Sequence, residues 1–186
     1  MDPLIQFRIP VKGLHNGPHD YSFDIDDEFF AAFEASPIQK GSIALTLSLD
    51  KRPDMLVLEF AFSGTVRTEC DRCLAEIDLP VADEQRLLVK YNLEEVESDD
   101  PDVLFIHPES QQLNVAPFIY DYVLLSMPLI KAFDCEDEAV KPCNQEMLDY
   151  LARQQDEAES GTSDEDDPGN NPFRDAFKDW NNLNDR

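Results

Sequence analysis

Between Ile43 and Phe62 the chain alternates apolar and polar side chains with a period of two, and that period limits what it can fold into. Ile43, Leu45, Leu47 and Leu49 form one run, the turn Asp50-Lys51-Arg52-Pro53-Asp54 follows, and Leu56, Leu58, Phe60 and Phe62 form the next. Successive side chains of an extended strand leave opposite faces, so this period means one face buried and one face wet. An antiparallel sheet covered on one side meets that demand, whereas strands buried on both faces read as continuous apolar runs. The pattern recurs at Ile5, Phe7, Ile9 and Val11, and at Tyr21, Phe23 and Ile25 after the turn His15-Asn16-Gly17-Pro18. It returns at Ile77, Leu79 and Val81, then at Leu87, Val89 and Tyr91.

One helix is predicted to interrupt the strands. Asp26 can cap it, Asp27 and Glu28 suit its positive start, and Phe29, Phe30 and Phe33 make the apolar stripe. Beyond Tyr91, residues 92–102 hold six acids and few apolar side chains, which predicts an exposed loop. Val103 to Ile106 and Gln111 to Leu113 are expected to pair as a short hairpin around Pro108. Asn114 is expected to cap a second helix with Pro117 in its first turn, Phe118, Ile119, Tyr122, Val123 and Met127 toward the core, and Pro128 as its stop. The expected fold is α+β: a mainly antiparallel sheet or partly open barrel with two to three helices over residues 1–152, then a disordered acidic tail. Within that tail, 153–170 is a linker too polar to bury anything. Residues 171–186 are expected to form a short amphipathic helix with Phe173, Phe177 and Trp180 on one face. That aromatic face either folds back onto its own domain or binds a groove on a partner.

The formal net charge is −25, from 40 acidic and 15 basic side chains. The excess is spread along the chain: −7 over 1–91, −10 over 92–143 and −8 over 144–186. No segment is basic, so the electrostatic footprint of a nucleic-acid binder is missing. The start MDPLIQFRIP has neither a basic region nor an apolar core of a secretory signal, and no apolar run approaches the roughly 20 residues of a membrane span. These features predict a cytoplasmic protein without a membrane partner. In a reducing compartment disulfides are rare, and cysteine pairs are read first as metal ligands.

Cys70-Asp71-Arg72-Cys73 is a C-x-x-C at a strand end, and Cys135 and Cys143 follow the second helix. Two thiolates three residues apart on a tight turn can reach one ion, and four would satisfy tetrahedral zinc. The first pair lacks the glycine usual after such a knuckle, and the second pair is widely spaced, so four separate thiols also fit. Catalytic signatures are absent: the sequence contains no P-loop, no nucleophile elbow and no helical zinc-protease motif. His15, His19 and His107 lie at no recognisable catalytic spacing. The expectation is a binding or assembly factor and not an enzyme.

The segment Gly64-Thr65-Val66-Arg67-Thr68-Glu69-Cys70-Asp71-Arg72-Cys73-Leu74 resembles the strand-to-knuckle motif of the bacterial YceD family, the large-subunit ribosomal RNA accumulation proteins. Leu124-Leu125-Ser126-Met127-Pro128-Leu129, followed by Cys135, resembles that family's post-helix leucine-proline motif, and Asn171-Pro172-Phe173 its C-terminal element. The resemblance spans most of the chain. Where family members carry a second C-x-x-C-type pair, this chain has Cys135 and Cys143. The resemblance implies a role in making or stabilising large-subunit ribosomal RNA and supplies no catalytic residues.

Two partners are weighed on that basis. The first is a basic ribosomal protein or the assembling large subunit, attracted at long range by the acidic surface. The alternative is a zinc-binding module that contacts RNA directly through Arg8, Lys12, Arg67 and Arg72. Each phosphate contact needs a cation and tight binders neutralise about 6–10 phosphates, so four candidate cations in so acidic a chain fall short.

Overall fold

The fold is that of a computed structural model describing residues 2–94, 98–132 and 142–160. The chain divides into two compact units, 1–144 and 145–186.

The first unit is α+β. Its main sheet has five strands in the order β2 (Gly17–Ile25), β3 (Lys40–Lys51), β4 (Met55–Glu69), β5 (Glu76–Tyr91) and β6 (Val103–Ile106). Neighbours are antiparallel except β5 and β6, which run parallel. A separate ribbon joins β1 (Arg8–Pro10) to β7 (Gln112–Asn114). The main sheet is open at both edges, not closed into a barrel.

The period-two runs act as predicted. Ile43, Leu45, Leu47 and Leu49 of β3 face Leu56, Leu58, Phe60 and Phe62 of β4 on one buried face, while Ala44, Thr46, Ala61 and Ser63 lie on the exposed one. Helix α1 (Asp27–Ala31) starts at Asp26, whose carboxylate accepts from the Glu28 and Phe29 N–H groups. Capping of this kind satisfies donors that the first turn leaves unpaired. The helix delivers Phe29 and Phe30 to the core, and the Phe29 ring meets Phe7 edge-on at 4.9 Å. Phe7 in turn meets Phe23 of β2 at 5.1 Å, which seats the start of the chain on the covered face of the sheet. Helix α2 (Ala116–Ser126) covers the same face: Tyr122 packs edge-on against Phe60 at 5.3 Å, and Tyr120 stacks on Phe33 at 4.0 Å.

Three expectations are corrected. Val103–Ile106 and Gln112–Asn114 do not form a hairpin: β6 joins β5 and β7 joins β1. All four β6 residues are half-buried, so no wet face guides its register, and the long acidic connection before it returns the chain parallel to β5. Asn114 is not the cap of α2. That position is Val115, and the Asn114 side chain accepts from the Ala116 N–H one step earlier. Residues 153–160, expected in the linker, belong to helix α3 (Gln145–Ser160) of the second unit. There Met147 and Leu148 are half-buried, and Gln145 donates to Asp149 one turn on. Cys135 and the aromatic face of Phe173, Phe177 and Trp180 lie outside the described residues.

Candidate functional site

The turn from β4 to β5 carries the first cysteine pair. The Cys70 N–H donates to the Ala75 carbonyl at 2.8 Å, and the Leu74 N–H donates to the Cys70 carbonyl at 2.9 Å. These bonds close Cys70-Asp71-Arg72-Cys73-Leu74-Ala75 into a tight knuckle with both thiols fully buried and outside any disulfide. Leu74 holds φ at 57°, the left-handed region that costs an ordinary side chain about 1–2 kcal/mol and glycine almost nothing. The missing glycine is therefore replaced in conformation, though not in identity. The Leu74 side chain is left 58% exposed.

Asp71, inside the knuckle, is its anchor. Its N–H donates to the Lys131 carbonyl and its carboxylate accepts from the Lys131 N–H, both at 2.7 Å. The Lys131 ammonium lies 3.4 Å from the same carboxylate. Hydrogen bonding from the Lys131 backbone, followed by the ammonium's charge, holds the Asp71 carboxyl below its ordinary range. A carboxyl depressed in this way stabilises the fold above its unfolded pKa and loses that contribution as pH falls through its folded one. The tie joins positions 60 residues apart, so no local spacing could have announced it.

Of the four predicted metal ligands, Cys70 and Cys73 share the turn between β4 and β5. Cys143 is held in a disulfide, and among the described residues no group of three or more ligating side chains surrounds one point. Beside the knuckle lies a cavity of about 310 Å³ lined by Lys40, Arg67, Glu69, Glu76 and Lys131 among others. Its charges are mixed: Arg67 forms a two-pronged bond to Asp78, at 2.9 and 3.1 Å, and Lys131 is tied to Asp71.

The candidate RNA-contacting cations are largely paired. Arg8 bonds Asp2 at 2.6 Å and Lys12 bonds Glu109 at 2.6 Å, while Arg67 holds Asp78. Arg72 forms no ion pair among the described residues. No helix among those residues is long and apolar enough to cross a membrane.

Fold and site together define an acidic α+β protein whose open, one-side-covered sheet ends in a buried cysteine knuckle. Residues 58–179 match the family described as large ribosomal RNA subunit accumulation protein YceD, and the chain belongs to that family. Membership implies a role in the accumulation of large-subunit ribosomal RNA. No curated protein and no solved structure matches the chain.

Proposed function

We propose that the protein is an accessory factor of large-subunit biogenesis, acting in the cytoplasm as a binding factor and not as an enzyme, through a basic ribosomal protein. The observation that carries this reading is the pairing of its cations. Three of the four side chains that could have met phosphate are each bound to a carboxylate on the same surface, within a chain of net charge −25. Charge of that sign attracts basic proteins at long range and repels a phosphate backbone. The sequence offers Phe173, Phe177 and Trp180 as a second contact for the same partner. Capture from cell lysate tests the proposal. Basic ribosomal proteins should be recovered after nuclease treatment, and their loss on removing RNA would overturn it.

The alternative, a zinc module that touches RNA, is favoured by one observation: the left-handed Leu74 gives the Cys70–Cys73 turn the backbone of a metal knuckle. Completing the four-thiolate set requires Cys135 and a reduced Cys143. Zinc would then be structural, closing a tetrahedral site with no open position. Reduced protein prepared without chelator should carry about one zinc per chain, and the Cys70→Ser variant should carry none. Equal metal content in the two would remove the site.

A further inference from the structure

The fourth strand pairing of the main sheet is incomplete. β5 runs from Glu76 to Tyr91, and β6 covers it only from Leu88 to Tyr91. The Leu88 N–H donates to Asp102 and the Asn92 N–H to Ile106, so even-numbered residues direct their backbone groups away from β4. By the alternation of a regular strand, Glu76, Asp78, Pro80, Ala82, Glu84 and Arg86 do the same. Among the described residues, no backbone hydrogen bond crosses this side between Glu76 and Arg86. Pro80 agrees with that direction, because a strand tolerates proline where the missing N–H falls on an unpaired edge.

The structure assigns this edge a use: we infer that it accepts an extended basic segment of a partner protein as an added strand. The inference rests on the basic-partner reading above and locates it. Backbone groups of the edge supply the ladder, and its side chains choose the occupant. On the exposed face Glu76 and Glu84 form no ion pair among the described residues, Asp78 is shared with Arg67 of β4, and Arg86 is the one cation of this stretch of β5. A second copy of this chain would set like charges opposite each other, which destabilises a strand pair. RNA would bring phosphate to the same carboxylates. Lysine or arginine on an incoming strand meets Glu76 at one end of the stretch and Glu84 at the other, and side chains at alternate positions are what strand addition reads. Asp83 guards the edge meanwhile: its carboxylate accepts from the Glu84 N–H at 2.8 Å and from the Gln85 amide at 2.6 Å. An incoming strand displaces the first of these bonds, and edges of this kind are commonly blunted against unwanted pairing by charge and proline.

The test uses the full-length chain, a synthetic peptide of alternating lysine and valine, and total large-subunit ribosomal proteins freed of RNA. On adding the peptide, the amides of Ala82, Glu84 and Arg86 should gain protection from hydrogen exchange, while those of Val81, Asp83 and Gln85, already paired with β4, change little. The substitution Ala82→Pro removes an outward N–H and fixes φ at a position where an edge strand tolerates proline. It should keep the unfolding midpoint and weaken binding of both probes by about tenfold, the loss of an edge hydrogen bond with its geometry. Should Ala82→Pro destabilise the fold, the exchange pattern of the unmodified chain decides. Binding of the ribosomal proteins with neither protection nor sensitivity to Ala82→Pro overturns the edge and leaves the basic-partner reading standing. Failure of every basic protein to bind overturns both.

Discussion

Tyr122 carries a hydroxyl buried in the core with no hydrogen-bond partner among the described residues. Burial, with smaller contributions from the charges of Asp102 and Asp121, pushes its pKa up to about 12. A phenol raised in this way favours the fold up to its ordinary pKa, and that support is lost as pH climbs from there to about 12. Tyr122→Phe keeps the ring against Phe60 and removes the unpaired oxygen. Urea unfolding near neutral pH should show it unchanged or more stable by about 1 kcal/mol, the low end of the cost of an unsatisfied buried polar group. It should also flatten the alkaline loss. A fall in stability would mean that the hydroxyl has a partner. At this scale sequence reasoning did well with side chains that act locally, such as Asp26 at its helix start. It could not find Asp71 on Lys131, because the two approach only after the sheet and α2 are built. Leu74 misled it differently: the usual glycine is missing, yet the backbone takes the glycine's conformation.

Strands were legible where one face is wet. β2, β3 and β4 announce themselves by alternation; a short turn sets the β3–β4 pair, and a shared apolar face brings β2 beside β3 across the α1 connection. β5 read as two pieces because Asp83 and Gln85 occupy core-side positions, yet the strand runs through them unbroken. β6 and β7 are three or four residues long, so their partners are set by tertiary contacts that no period encodes. Glycine marks one close approach between two strands. A Cβ added at Gly64 would stand 2.2 Å from the Ser42 carbonyl oxygen and 2.6 Å from the Ile43 Cα, both backbone atoms of β3. Backbone cannot swing aside as a side-chain tip can. Gly64→Ala should therefore destabilise the domain by about 1–3 kcal/mol, the usual cost of overpacking. Thermal or urea unfolding reads this, and an unchanged midpoint would show that β3 and β4 can separate there without cost.

For the whole molecule, charge and architecture separate cleanly. The sheet and its covering helices follow from apolar pattern and turn chemistry, and the knuckle from its turn together with the Asp71–Lys131 tie. The net charge of −25 has no part in specifying them and bears instead on what the surface attracts. Family membership fixes the setting as large-subunit ribosomal RNA accumulation. The proposed route, through a basic protein and not through RNA, rests on the paired state of Arg8, Lys12 and Arg67. The most direct test is a titration of the purified full-length chain with RNA-free large-subunit ribosomal proteins and, separately, with bare large-subunit ribosomal RNA, each at low and high salt. The account predicts binding to a basic protein that weakens as salt screens the opposing charges, with RNA bound far more weakly under both conditions. Binding to the bare RNA as tight as to any ribosomal protein, or tighter, would contradict it.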